Sequence, residues 1–363
     1  MSEVSPAQPA SPSDAFAGLV LVTGATGVVG ARLVSQLQDA GTPVRAVARS
    51  RQGADRLTEA GVEVVEGDLR DQAVLSRACE DCAGVIHCAA ATARHSASRD
   101  TFWTVNAEVP ALLWRAAARA GVGRMVHVST TGVHGPLRRW PVDADGPLRP
   151  DSLYRRSKLR GERKLIAEAR ETTDGPDVVI ARLTSVIGPG TAKTWRSLYD
   201  SVAHSGVTLV GRGDHPIHLI DIDDTVVGLA RCLTQPAAAG QTLMLGGREP
   251  IRLIDLMGVV AEVAGAPLRV RRRVPSWPTA AIGRLSIRAL SRLGHEPAAL
   301  HSLAFLTSAR AYRTDRTWSL LGYTPRFDAA QSVARTFPNT ARRASNDLTP
   351  DRRPADEPEG AIA

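Results

Sequence analysis

Cysteine and aromatic side chains are scarce: the 363 residues include four cysteines, four tyrosines, five phenylalanines and six tryptophans. Four thiols cannot form the dense disulfide framework of a small secreted scaffold. One C-x-x-C, Cys79 to Cys82, lacks the second pair that would complete a zinc site. Cys82 and Cys88 flank or end an apolar strand, where small thiols pack well, so Cys79, Cys82, Cys88 and Cys232 are read as structural and no metal is expected. Long apolar runs are also missing. No window approaches the roughly 18 uninterrupted apolar residues of a membrane-spanning helix. The run Phe16 to Thr23 is too short for a signal peptide and leads straight into a glycine motif. A cytoplasmic location is expected. The net charge is +8, yet the densest basic run, Arg269, Arg271, Arg272 and Arg273, lacks the interleaved aromatics of a groove for single-stranded nucleic acid. It reads as a solvated basic face, and no nucleic-acid partner is expected.

What is present is enough chain for a large core, in one domain or two closely joined ones. Residues 1–17 are mostly Ser, Pro and Ala, and residues 339–363 are charged and proline-rich, so both ends are expected to be disordered. Between Leu19 and Arg182 one unit recurs: a short β-branched run, a turn, then apolar residues at helical spacing. The strands fall at Leu19 to Thr23, Val44 to Ala48, Val62 to Glu66, Gly84 to Cys88, Arg124 to Ser129 and Asp177 to Arg182. Nearly continuous apolar strands are covered on both faces, which predicts an α/β fold with a doubly wound parallel sheet. Beyond Gly188 the alternation weakens. Helices are expected at Trp195 to His204, Asp223 to Leu233, Leu253 to Ala264 and Pro278 to Phe305, with strands at Ile217 to Ile220 and Gln241 to Leu245. Residues 18–190 are therefore read as a dinucleotide-binding domain. Residues 191–338 are read as a smaller, mostly helical substrate lobe partly interleaved with it. Within the lobe, Arg284, Arg288 and Arg292 share one face of a helix, which fits peripheral membrane contact less well than a pocket cover with arginines facing water.

Thr23-Gly24-Ala25-Thr26-Gly27-Val28-Val29-Gly30 follows the first strand and opens the first helix, the setting of a Rossmann-type phosphate loop. Gly24 permits the tight turn, Gly27 lets a pyrophosphate reach the backbone, and Gly30 lets helix and strand approach, while the helix N-terminus supplies N–H donors. The second strand ends Ala48-Arg49-Ser50, without the carboxylate that would hold the ribose 2'-hydroxyl of NAD. Arg49, with Ser50 and Arg51 beside it, can pair with a 2'-phosphate, so NADP(H) is favoured and NAD(H) is the alternative. Asp68-Leu69 stands where a side chain can accept from the adenine amino group. Ala89 and Ala90 are small enough to let a dinucleotide lie against the sheet edge.

Tyr154 and Lys158 are four residues apart, on one face of the helix after the fifth strand. An ammonium about 5 Å from a phenol, at an effective dielectric near 20, favours the phenolate by on the order of 3 kcal/mol, which equips Tyr154 to exchange a proton near neutral pH. Ser129, Thr130 and Thr131 end the fifth strand at the carboxyl edge of the sheet, where a hydroxyl can help hold a substrate oxygen.

With these residues the chain resembles the extended short-chain dehydrogenases/reductases over Leu19 to Phe337. The matching features are Thr23 to Gly30, Asp68-Leu69, His87 to Ala90, Asn106, Ser129 to Thr131 with Val133-His134-Gly135, Tyr154 to Lys158, Arg182 with Val186 to Gly190, and Asp221 to Asp224. The resemblance implies Thr130 as the catalytic hydroxyl, with Ser129 the alternative. It also implies Lys158 on the nicotinamide ribose, Val186 backbone at the carboxamide, Asn106 as a cofactor-side or helix-capping residue, and a homodimer.

The Val44 to Arg49 edge is similar to dihydroflavonol-reductase-like members, and Ala309 to Pro325 to 3β-hydroxysteroid-dehydrogenase-like ones. A bulky, fairly apolar hydroxy or keto substrate follows from that likeness. A nucleotide-sugar epimerase or dehydratase with tightly bound NAD is the main rival. Ile217 stands where those enzymes commonly have an arginine, and no second diphosphate clamp is evident near Leu300. A non-catalytic NADP sensor is a further alternative, but such relatives typically lose the Tyr-Lys pair. Trp195, Tyr199, His215 and His218 flank the substrate segment and are read as packing residues.

Overall fold

The computed structural model describes residues 16–92, 98–172, 174–275, 279, 282, 283, 285, 286, 289, 290 and 305–338. The expectations for both chain ends, and most of the expected helix Pro278 to Phe305 with Arg284, Arg288, Arg292 and Leu300, lie outside the described residues.

Strands β1 (Leu19–Thr23), β2 (Val44–Ala48), β3 (Glu63–Glu66), β4 (Cys82–His87), β5 (Arg124–Thr130) and β6 (Asp177–Leu183) lie within two residues of their sequence-predicted ends. They form one parallel sheet in the order β3-β2-β1-β4-β5-β6, so the order reverses between β1 and β4. That reversal opens a crevice at the carboxyl edge, where the β1 and β4 loops diverge. Helices α1 (Val28–Asp39) and α2 (Arg51–Glu59) cover one face, and α3 (Gln72–Cys79), α5 (Val109–Arg119) and α6 (Leu153–Glu171) the other. The short α4 (Arg99–Trp103) runs through a π-helical turn, Thr104–Glu108, into α5. Strand periodicity divides the core: Val20 and Val22 pack with Leu33 and Leu37 of α1, whereas Leu21 packs with Leu113 and Leu165 across the sheet.

Three elements from beyond residue 190 complete this first layer. After β7 (Ser185–Ile187), α7 (Ala192–Asp200), β8 (Val207–Val210), β9 (Pro216–Ile217) and β10 (Leu219–Asp221), the helix α8 (Ile222–Thr234) returns to the α1 face. Strand β11 (Thr242–Leu245) then adds in parallel to the free edge of β6, as the seventh strand. Helix α10 (Asp315–Leu321) sends Trp318 and Leu321 into the same core. The remaining elements form a separate apolar cluster. Here α7, α9 (Leu253–Val263) and α11 (Ala329–Thr336) bring Trp195, Tyr199, Leu256, Met257 and Val333 together beside β12 (Ile251–Arg252) and β13 (Val270–Val274). The expected single strand Ile217 to Ile220 is two: β9 pairs antiparallel with β12, and β10 pairs parallel with β7.

The Asp221 to Asp224 motif ties these parts together. Asp221 caps α8, Asp223 pairs with Arg32 of α1 at 2.6 Å and with Arg335 of α11, and Asp224 accepts from the Tyr323 hydroxyl at 2.6 Å. The cysteines are free. Burial pushes the thiols of Cys79, Cys88 and Cys232 up to about 12 and that of Cys82 to about 11, so none is a thiolate at neutral pH. No helix among the described residues is long and apolar enough to cross a membrane.

Candidate active site

The glycine loop is a cradle shaped by what a side chain would hit. Gly24 has φ +71°, and a Cβ there would lie 2.7 Å from the Ala89 nitrogen, so the loop is wedged against the turn after β4. A Cβ on Gly30 would lie 2.2 Å from the Gly24 carbonyl, which is how closely α1 approaches the loop. Gly27 is different: exposed, it meets only the Gly24 carbonyl at 3.2 Å. It is also the N-cap of α1 and supplies no side-chain cap, whereas Ser50 caps α2 and Asp71 caps α3. The first N–H groups of α1, from Val28, Val29 and Gly30, therefore lack a capping acceptor and face the crevice beside exposed Thr26, an arrangement that fits a pyrophosphate. Thr23 is buried, with Oγ1 2.7 Å from His87 Nδ1 and accepting from Ala89 N–H at 3.4 Å, so it fixes the β4 turn rather than facing outward.

At the end of β2, Arg49 is exposed and has no ion pair among the described residues. Its neighbours are committed. Arg51 pairs with Asp55 at 3.0 Å and Glu66 at 3.1 Å, and the Ser50 hydroxyl accepts from Gly53 N–H. A Cβ on Gly53 would lie 3.2 Å from the Thr26 methyl, which places this turn next to the phosphate cradle. Asp68 is held by the Arg70 guanidinium at 2.9 and 2.8 Å, and this pairing keeps its carboxyl below the usual range. Leu69 is buried, and Ala89 and Ala90 are half-buried at the β4 turn.

Tyr154 lies in the first turn of α6, half-buried against the small cluster of Ala91, Phe102 and Leu153. One turn on, Lys158 is 1% exposed; Nζ donates to the Val128 carbonyl at 2.7 Å and lies 3.3 Å from His127 Nε2. Burial brings its ammonium down to about 8, against the opposing pull of Glu162 and Cys88. His127 stacks on His87 with ring centroids 5.3 Å apart. Burial, and then the nearby Lys158, hold His87 at about 3 and His127 well below its usual value, so both rings are neutral beside the lysine.

Neighbouring hydroxyls on β5 take opposite roles. Thr130 is half-buried, and its Oγ1 accepts from Gly132 N–H at 3.0 Å, which leaves its own O–H free to donate. The Ser129 side chain, one residue earlier on the strand, faces the other way and donates to Glu162 Oε1. Glu162 in turn holds Arg182 of β6 through contacts at 2.7 and 3.1 Å. This buried pair fastens α6 to the sheet and so sets where Tyr154 and Lys158 meet the end of β5.

Asn106 is neither an α-helix cap nor open to the crevice. It is 1% exposed; Oδ1 accepts from Ala91 N–H at 2.8 Å, and Nδ2 donates to Ala91 O and Ser157 Oγ, each at 3.0 Å. It cross-ties the loop after β4 to α6. Gly161 makes that tie close, because a Cβ there would lie 2.1 Å from the Asn106 carbonyl oxygen. Gly161→Ala is expected to destabilise the fold by about 1–3 kcal/mol, the usual range for overpacking, with a lower Tm in thermal unfolding; an unchanged Tm would mean α6 can shift without cost. Gly161 and His127 are not singled out by the sequence reading, although Gly161 stands in Tyr154-x-x-x-Lys158-x-x-Gly161 and His127 lies within the fifth strand.

Val186 on β7 is half-buried, and its carbonyl accepts from Trp195 Nε1 at 2.9 Å. It borders a pocket of about 590 Å³ beside the second apolar cluster, walled by Trp195, Leu198, Met257 and Phe305 with Arg155 and Arg310. Of the four flanking residues, only Trp195 lines this pocket. Tyr199 packs on Phe337 at 4.3 Å, His218 bonds the Gly247 carbonyl, and His215 lies near the Phe305 carbonyl.

Residues 20–246 match the NAD-dependent epimerase/dehydratase family. The chain belongs to that family. It is thus an extended short-chain dehydrogenase/reductase and an NAD(P)-dependent enzyme of oxidoreductase type. It is similar to sterol demethylase protein B of Methylococcus capsulatus, 35% identical over 47% of this chain and 52% of that one. It is also similar to a dTDP-glucose 4,6-dehydratase of Streptomyces antibioticus, 29% identical over 88% of this chain and 91% of that one. Among solved structures, DesIV of Streptomyces venezuelae, a dTDP-glucose 4,6-dehydratase with NAD bound, superposes with a TM-score of 0.68 and 26% identity over 91% of this chain and 97% of that one.

Proposed function

We propose that this family member is an NADP(H)-dependent ketone reductase, equally a secondary-alcohol dehydrogenase, for a bulky and fairly apolar substrate. The observation that carries the cofactor choice is Arg49: an exposed guanidinium without an ion partner among the described residues, where an NAD site would place a carboxylate. The largely apolar wall of the pocket beside Val186 supports a bulky substrate.

The dinucleotide would be held by the α1 N-terminus, Arg49, Asp68 and the small residues of the β4 turn, and when bound it supplies the hydride. The chain's own residues then act on one oxygen. Thr130, its acceptor side engaged by Gly132, donates a hydrogen bond to the substrate oxygen, and Tyr154 delivers a proton to it. Lys158 keeps a positive charge beneath the phenol and is fixed by the Val128 carbonyl, so the charge needs no reorganisation during the reaction. Neutral His127 and His87 leave that lysine as the only cation of the buried group.

Because burial brings Lys158 down to about 8, the charge is present below that pH and lost above it. Reduction is therefore expected to fall as pH rises through about 8, read as kcat/KM for the cofactor, which reports the free enzyme. A flat profile to pH 9.5 would remove Lys158 from this role.

One finding favours a second reading. Several relatives are dTDP-glucose 4,6-dehydratases, so a nucleotide sugar converted with retained NAD is the rival. Absorbance of the reduced nicotinamide separates the two. Net NADPH oxidation against bulky ketones supports the reductase, whereas conversion of a nucleotide sugar without net redox change replaces it.

A further inference from the structure

Two arginines from distant parts of the chain share the wall of the 590 Å³ pocket, and among the described residues only one of them has a carboxylate partner. Arg155, next to Tyr154 on α6, is 7% exposed and pairs with buried Asp151 at 2.5 Å. Arg310 has no such partner among the described residues. Its backbone N–H is anchored to the Pro216 carbonyl at 2.7 Å and its guanidinium lies over the Phe305 ring at 5.7 Å. Its Nε is enclosed without a hydrogen-bond partner, and no carboxylate among the described residues lies within ion-pair distance. Among the described residues, two guanidiniums and one carboxylate leave the group with one uncompensated positive charge. Burial, with Arg155 nearby, brings Arg310 down to about 10, which still leaves it charged at neutral pH.

A half-buried guanidinium whose Nε is enclosed, with no counter-ion among the described residues, is costly unless something else supplies the anion. The empty side of this pair is the pocket itself. The pocket is also next to the reaction centre: a Cβ on Gly132 would lie 3.1 Å from Arg155 Nε and 3.2 Å from Thr130 Oγ1, so Arg155 borders the catalytic hydroxyl. On the other side the wall is apolar, with Phe305 edge-on to Trp195 at 5.6 Å, beside Leu198 and Met257.

We propose that the pocket is built for an amphipathic anion, whose carboxylate or phosphate group pairs with Arg310 and Arg155 while its apolar body packs on Trp195, Leu198, Met257 and Phe305. This rests on the reductase reading for the identity of the reacting carbon, and not for the subsite. Under that reading the substrate is a keto or hydroxy compound bearing an acidic group, and neutral ketones are poor substrates.

The test is equilibrium binding to the full chain by titration calorimetry, which needs no turnover. Octanoate is expected to bind roughly ten- to a hundredfold more tightly than octanol, the value of a charge-assisted hydrogen bond. Arg310→Leu should remove that difference and Arg310→Lys should keep most of it, with NADPH binding of each variant showing that it is folded. If Arg310→Leu does not fold, the octanoate-to-octanol ratio in the native protein and in Arg310→Lys decides. Equal binding of the two probes, or octanoate binding unchanged in a folded Arg310→Leu, overturns the subsite. Uridine diphosphate distinguishes the source of the anion: competition with octanoate that depends on Arg310 makes the natural group a phosphate, and its failure to compete makes it a carboxylate. A protein that binds octanoate through Arg310 yet oxidises no NADPH with any ketone would leave the subsite standing and the reductase reading overturned.

Discussion

Tyr154→Phe is expected to lower turnover by at least two to four orders of magnitude, the range lost with a positioned general acid, while NADPH affinity stays nearly unchanged. The phenyl ring fills the same half-buried place against Leu153 and Phe102, so the substitution removes one hydroxyl and little packing. The split between kcat and cofactor binding is informative, because a merely structural tyrosine would lower both through loss of the fold. Single-turnover reduction at saturating NADPH, with a calorimetric Kd for the cofactor, measures it. Unaltered turnover would remove Tyr154 from the chemistry.

Arg49→Ala is expected to weaken NADP+ binding roughly ten- to a hundredfold, the worth of a charge-assisted hydrogen-bond pair, with NAD+ binding little changed. Arg49→Asp should reverse the preference, because a carboxylate accepts from the 2'-hydroxyl and repels a 2'-phosphate. Arg51→Ala is the control that assigns the effect: its side chain is held by Asp55 and Glu66, so its loss should change the preference about threefold or less, as for an exposed ion pair. Dissociation constants for both cofactors across the three variants check this. Equal binding of NADP+ and NAD+ by the native protein would overturn the NADP(H) assignment and favour the retained-NAD reading.

The order of strands and helices, the glycine loop and the Tyr154–Lys158 spacing were legible because each is a local property. A β-branched run, a helix N-terminus after a strand, and an i, i+4 pair are written within a few consecutive residues. Ser129 and Thr130 are adjacent hydroxyls that the sequence alone cannot tell apart. Their strand sends Thr130 toward Gly132 and Ser129 toward Glu162, and only the register of β5 against α6 tells them apart. Asn106 was ambiguous for a similar reason, since its partners Ala91 and Ser157 lie on two other segments.

By itself, then, the sequence determined that this chain folds as a parallel α/β layer with a phosphate loop and a tyrosine–lysine helix, because those signals depend on the periodicity of single elements. Tertiary structure decided the rest: that β11 and α10 return to complete the first layer, that Lys158 lies beside two neutral histidines, and that Arg155 and Arg310 share one pocket. These are relations between segments far apart in the chain, set by how apolar faces pack together, and no local pattern encodes which distant side chains will meet.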